Sequence, residues 1–148
     1  MIVVGIDPGM SGGVSVIDST GEVSVQKYTT ESEFIAFMES QPRESRVYIE
    51  DVPCFVSSVT SGASSFKLGY NYGFEVGVCR AFGFPVELVK PRAWQAGIPG
   101  LKPKMGYTFR KRLLKDVANR LFPQIKVTNA VADALLIMDY GCKHRPSS

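Results

Sequence analysis

Residues 2–13, Ile2-Val3-Val4-Gly5-Ile6-Asp7-Pro8-Gly9-Met10-Ser11-Gly12-Gly13, decide how the rest of the chain is read. Ile2, Val3, Val4 and Ile6 form a near-continuous apolar run, which predicts a strand buried on both faces rather than one with a solvated side. Asp7 closes the run, and a Gly/Pro-rich turn follows it. A carboxylate there is either a turn former that caps its own backbone or a metal ligand held on a rigid strand. Asp-Pro-Gly by itself favours the turn former; three features further along raise the ligand reading.

Beyond the turn, Val14 to Ile17 and Val23 to Tyr28 alternate apolar and polar residues around Ser19-Thr20-Gly21, a hairpin signal. The chain therefore starts with three antiparallel strands. Thr30 with Glu33 makes a capping box, and Phe34, Ile35, Phe37 and Met38 give a short first helix its apolar face. Val47-Tyr48-Ile49 is the fourth strand and runs directly into Glu50-Asp51. Side chains alternate along a strand, so only one of these two acids can share a face with Asp7. A right-handed crossover sets this strand parallel to and beside the first, with both strand ends at one edge of the sheet.

Residues 53–65 are Ser/Gly-rich and aperiodic, which predicts a loop. Phe55 within it is an apolar side chain that either stacks against a partner or folds back on the core. Phe66, Tyr70, Phe74, Val78 and Ala81 or Phe82 form an apolar stripe at helical spacing. Gly69, Gly73 and Gly77 recur on another face of that helix. Each costs about 1 kcal/mol relative to alanine, so the three predict a close neighbour, either the sheet or a second subunit. Val86 to Val89 is the fifth strand, stopped by Lys90-Pro91, and Arg92 to Gly97 is a helical turn. A loop over 98–106 carries Lys102 and Lys104. Tyr107 to Phe122 is helical, with Phe109, Leu113, Leu114, Val117 and Leu121 inward and Arg110, Lys111, Arg112 and Lys115 toward water or a partner. Thr128-Asn129 caps a last helix, Ala130 to Tyr140, which contains Asp133 and ends at Gly141.

A chain of 148 residues is read as one domain, 1–148, large enough to bury a core. No apolar run approaches the roughly 18 residues of a membrane span, and the N-terminus lacks a signal-peptide pattern. The expectation is a soluble cytoplasmic protein with no membrane partner, of bacterial or phage-infected cells; the alternative is an organelle, after removal of a targeting segment. Cys54, Cys79 and Cys142 are odd in number and widely spaced, which argues against a zinc site or a disulfide framework. The net charge of +3 conceals an asymmetry. Residues 1–89 carry five Lys/Arg against eleven Asp/Glu, whereas residues 90–120 carry nine against one. The plain reading of a charge run is a solvated helix face. A basic block this one-sided beside strand-end carboxylates fits better with a phosphate-binding surface next to a cation site.

The order strand-strand-strand-helix-strand-helix-strand-helix-helix, with acids after strands one and four and early in the last helix, resembles the ribonuclease H-like layout. This is an α/β fold with a five-stranded mixed sheet, three antiparallel strands plus parallel ones, flanked by helices. Within it, GIDPG at 5–9, IED at 49–51, LGYNYGFEVG at 68–77, VELVKPRAW at 86–94 and NAVADAL at 129–135 resemble the RuvC-type Holliday junction resolvases, the phage and organellar branches most of all. GIDPG also opens sugar kinases and actin-like ATPases, so the set carries the resemblance rather than that motif.

The resemblance implies a homodimer that binds a four-way DNA junction and cuts it with two Mg2+ ions per active site, Mn2+ substituting. It implies metal ligands at Asp7, Glu50 and Asp133, and a fourth acid three or four residues before Asp133. Asn129 or Ala130 stands there, and neither is acidic. An Asp-to-Asn exchange made to trap a substrate complex, which would leave the chain weakened or inactive, and a natural site with one weaker ligand both account for Asn129. The implied DNA contacts are Phe55, Lys90, Arg92, Lys102, Lys104, Arg110, Lys111 and Arg112, the basic ones within 90–120. Two other readings remain: a protein that binds junctions without cutting, and another ribonuclease H-like nuclease acting on RNA.

Overall fold

The computed structural model describes residues 1–53 and 61–144; Phe55 lies outside them. The strands are β1 (Val3–Asp7), β2 (Gly13–Ile17), β3 (Val23–Lys27), β4 (Arg46–Glu50) and β5 (Val86–Val89). The helices are α1 (Glu31–Glu39), α2 (Gly62–Ala81), α3 (Pro91–Gln95), α4 (Tyr107–Leu121) and α5 (Asn129–Lys143). The strands form one sheet in the order β3-β2-β1-β4-β5. β1, β2 and β3 pair antiparallel, while β4 pairs parallel with both β1 and β5. This is the ribonuclease H-like layout expected from the sequence.

Alternation along β1 and β4 divides the core in two. Val3 and Tyr48 face a layer made with Trp94, Leu114, Leu135 and Met138 from α3, α4 and α5. Val4, Ile6, Val47 and Ile49 face Phe34, Met38, Val76 and Cys79 from α1 and α2. Both faces of the central strands are thus covered, which is why β1 reads as a continuous apolar run. α5 lies directly on β1: a Cβ at Gly5 would collide with the Ala134 carbonyl and the Met138 backbone. Ser15 Oγ donates to the Ala134 carbonyl at 2.7 Å and ties β2 to the same turn of α5. Thr30 caps α1 by accepting the Glu33 N–H, as expected.

Four expectations are corrected. α2 begins at Gly62, four residues early, and its buried row is Asn71, Glu75, Val76 and Cys79. Phe66 and Tyr70 are 72% and 59% exposed, because the face turned to the rest of the molecule is about one residue round from the aromatic stripe. Among the described residues a Cβ at any of the three α2 glycines would meet nothing within 4 Å, which removes the reading in which they pack on the sheet. In α4 the buried positions are Leu114, Val117 and Ala118, while Phe109 and Leu121 are exposed. Extending that row one turn toward the N-terminus reaches Lys111, so Phe109 lies off it, and Phe122 takes the buried place at the other end. Finally, Gly141 lies inside α5, where the ring of Tyr48 leaves no room for a Cβ.

Candidate active site

Asp7 and Glu50 are the last residues of β1 and β4. The parallel register Ile6↔Ile49 sets them side by side at one edge of the sheet. Period two places Asp7 on the face of Gly5 and Glu50 on the face of Tyr48, the face that α5 covers. Asp133, one turn into α5, joins them, and the three carboxylates line one cleft of about 530 Å³ with Ser64, Lys67, Tyr107 and Lys111. Asp51 belongs to the other face, where its Oδ1 accepts from the Tyr72 hydroxyl at 2.9 Å. Of Glu50 and Asp51 only the first shares the cleft with Asp7, as alternation requires.

The turn after β1 is closed by its own backbone. Gly12 N–H donates to the Gly9 carbonyl at 3.1 Å, and a Cβ at Gly12 would strike the backbone carbonyl of Asp7. Gly9 sits at φ +111°, a conformation that L side chains rarely adopt. The turn-former reading of Asp7 is thereby answered: backbone groups close the turn, and the carboxylate is left to the cleft.

The cleft gathers negative charge in a place of low solvation. Burial and the neighbouring Asp133 and Glu50 hold the Asp7 carboxyl well above its ordinary pKa. Burial also raises Glu50, against the Trp94 hydrogen bond that lowers it. Trp94 Nε1 donates to Glu50 Oε2 at 2.7 Å from a side chain only 3% exposed. Lys111 Nζ lies 3.2 Å from Asp133 Oδ2. Burial pulls the Lys111 ammonium down, but Asp133 and Asp7 outweigh it and its pKa is raised.

The donor chemistry fits a hard divalent cation. Three carboxylates repel one another in a cleft that a cation would neutralise, and among the described residues the buried Oδ1 of Asp133 has no hydrogen-bond partner. Among the described residues no three such groups stand close enough to hold an ion as they are, and the Lys111 ammonium supplies the positive charge beside Asp133. Asn129 does not join the carboxylates. It is exposed at the first residue of α5, in an adjoining cleft of about 430 Å³ with Thr108, Lys111, Arg112 and Lys115. Ser11, Tyr107 and Lys111 line both clefts.

No family model and no curated protein matches the chain by sequence. Its structure does match solved ones. A Thermus thermophilus RuvC in complex with a Holliday junction substrate superposes with a TM-score of 0.62 at 17% identity, covering 97% of this chain and 95% of that one. A second Thermus thermophilus RuvC structure gives 0.60 at 18% identity, covering 97% and 96%. The chain has the RuvC fold.

On that RuvC fold the basic residues fall into two groups. Lys111, Arg112 and Lys115 line the cleft beside the carboxylates. Lys90, Arg92, Lys102 and Lys104 are exposed on α3 and its flanking loops. Arg110 instead donates to Gln95 Oε1, bracing α4 against α3. Three residues at or behind the cleft are placed in a way that the sequence does not disclose. Lys111 reads there as facing water or phosphate, and its position on the buried row of α4 is what turns it to Asp133. Trp94 reads as part of a helical turn and as the end of the VELVKPRAW stretch, neither of which gives the indole a role. Glu75 does not stand out from the rest of its helix. It is fully buried in α2, and burial pushes its carboxyl up to about 8. Its spacing of four from both Asn71 and Cys79 is the available clue.

Proposed function

We propose that this chain is a structure-selective endonuclease that resolves four-way DNA junctions by Mg2+-dependent phosphodiester hydrolysis. The observation that carries the reading is the meeting of Asp7, Glu50 and Asp133 in one cleft on a RuvC fold, beside a cleft lined by Lys111, Arg112 and Lys115. The RuvC structure solved with a Holliday junction supports the substrate class.

In this reading Asp7, Glu50 and Asp133 would hold two Mg2+ ions, or Mn2+ in their place, while Asn129 lies in the adjoining cleft rather than among them. Such ions supply Lewis-acid activation of water and neutralise charge at the leaving oxygen. Trp94 fixes the direction of the Glu50 carboxylate. Lys111 balances Asp133 and lies between the two clefts, where a phosphate would meet it. Arg112 and Lys115, with the outlying Lys90, Arg92, Lys102 and Lys104, bind backbone phosphates and give affinity without reading sequence. Recognition is then of junction shape. A homodimer completes the proposal, with the glycine face of α2, open among the described residues, as a surface for the second subunit.

The test is single-turnover cleavage of an end-labelled synthetic four-way junction in Mg2+, beside an RNA-DNA hybrid of equal length. Symmetric nicks that ligase can seal, lost in Asp7→Asn while junction binding stays or tightens, are the expected result. Full cleavage by Asp7→Asn sinks the assignment, and cleavage of the hybrid alone moves the activity to RNA. The second reading, a junction binder that does not cut, is favoured by the neutral Asn129 and by the Lys111–Asp133 pair. Tight binding with no nicking in Mg2+ or Mn2+ would establish it.

A further inference from the structure

Outside the carboxylate cleft, Glu75 is a buried acid that core packing does not explain. Its side chain is wholly buried on the α2 side of the sheet, the face opposite α5 and Asp133. Oε2 accepts the Gly9 N–H at 3.1 Å and an Asn71 Nδ2–H at 3.1 Å, while the buried Oε1 has no hydrogen-bond partner among the described residues. Placing a carboxyl in such surroundings with one oxygen unmatched is unfavourable, and an apolar residue of the same volume would fill the space at lower cost.

What the carboxyl does hold is the turn behind Asp7. Gly9 is two residues beyond Asp7, is buried, and its N–H is directed to Glu75. The Gly9 carbonyl in turn accepts the Gly12 N–H, and Gly12 runs so near the backbone carbonyl of Asp7 that a Cβ there would strike it. Gly12 is also joined to the sheet edge, its carbonyl accepting the Tyr28 N–H at 3.0 Å. The turn therefore has one anchor on the β3 side and one on α2. The same helix sends Ser64, Lys67 and Leu68 to the carboxylate cleft, so the helix that carries Glu75 also forms one wall of that cleft.

We propose that Glu75 is a positioning residue: by accepting the Gly9 N–H it holds the β1 turn, and with it Asp7, in register with α2 and the cleft. The proposal rests on the nuclease reading for its effect on rate, but not for the anchoring itself. The acceptor, not the negative charge, is the working part. Glutamine at this position keeps an acceptor oxygen and the volume; leucine keeps the volume alone.

The experiment compares Glu75→Gln and Glu75→Leu with the parent chain by two measurements. Amide hydrogen exchange at Gly9, followed by NMR, needs no substrate. Single-turnover cleavage and junction Kd separate rate from binding. Glu75→Gln is expected to keep Gly9 protected and the cleavage rate within about threefold. Glu75→Leu should exchange Gly9 roughly tenfold faster or more, and should cut on the order of 10- to 100-fold more slowly with Kd unchanged, since small misplacements of a reacting group cost that much. If Glu75→Leu does not fold, Glu75→Met carries the same expectations, the flexible thioether filling the space without an acceptor. Parent-like Gly9 protection in the leucine or methionine variant overturns the proposal. So does a glutamine variant that loses protection and rate as far as leucine does. If the parent cuts no DNA at all, the nuclease reading fails, and Gly9 exchange still decides whether Glu75 anchors the turn.

Discussion

Among the described residues Glu50 is aimed by one neutral side-chain donor. With burial and Asp133 raising its pKa and the Trp94 indole lowering it, the direction of the carboxylate depends on the 2.7 Å bond from Nε1. Trp94→Phe keeps most of the ring's packing and deletes that donor. Folding should lose about 1 to 3 kcal/mol, the range for a hydrogen bond to a charged group in a buried place. Junction cleavage should fall roughly tenfold or more and need more Mg2+, because a freed carboxylate is a poorer ligand. A Mg2+ titration of the cleavage rate checks this; an unchanged midpoint would leave Trp94 with a packing role alone. Asn129 poses the complementary question. It is exposed in the first turn of α5, four residues before Asp133 and in the cleft of Lys111. Asn129→Asp would add an acid near Lys111 and at a helix N-terminus, where negative charge stabilises by about 0.3–1 kcal/mol. Stability should hold or rise slightly, and cleavage at low Mg2+ should rise. Half-buried Ala130 is the competing position. Rescue by Ala130→Asp alone would place the missing ligand there.

Among the elements, α5 governs the geometry, because Asp133 reaches the cleft only if that helix lies flat on β1. Gly5 is what allows the approach. Gly5→Ala would put a methyl group into the Ala134 carbonyl, next to Asp133, and no rotamer change can relieve a clash with backbone. The expected loss is about 1–3 kcal/mol of stability for such overpacking, measured by urea denaturation, with cleavage falling further than the loss of folded protein explains. Equal losses would show that the shift spares Asp133. The same elements show what the sequence could carry. Asp7 and Glu50 are readable because a strand's period of two and a parallel crossover fix both the edge and the face of a strand-end residue. Asp133 is readable from helical spacing and the resemblance. A helix repeats its pattern without declaring its rotation, however, and on α2 the aromatic stripe is the more apolar choice while Asn71, Glu75 and Cys79 are the buried one. Lys111 escapes for the same reason, since a lysine on a buried row looks like one on a solvated face until the row's partner is known. Gly141 reads as a helix stop in sequence; only the ring of Tyr48 against it shows that it allows close packing.

At the scale of the whole molecule, buried acid on both sides of one sheet edge makes stability depend on pH in an unusual direction. Asp7 and Glu50 on the α5 side and Glu75 on the α2 side all have carboxyls raised above their ordinary values, Glu75 to about 8 from 4.5. A group whose folded-state pKa is raised binds more protons folded than unfolded between the two values. Its contribution is fully present below the unfolded pKa and is lost as pH rises through the folded one. Without divalent cation, the protein should therefore lose stability steadily from about pH 4.5 to about pH 8, where most proteins gain or hold it. Each tenfold change in proton affinity is worth about 1.4 kcal/mol, so Glu75 alone contributes on the order of a few kcal/mol across that window. Thermal unfolding in EDTA over this range measures the slope. Glu75→Gln should flatten it without removing it, since Asp7 and Glu50 remain. Mg2+ should raise Tm most at the alkaline end, where the cleft carboxylates are charged and a cation relieves their repulsion, and Asp7→Asn should shrink that rise. An EDTA profile that climbs with pH, or a Mg2+ increment that ignores Asp7, would mean that these acids are not what sets the charge state of the cleft.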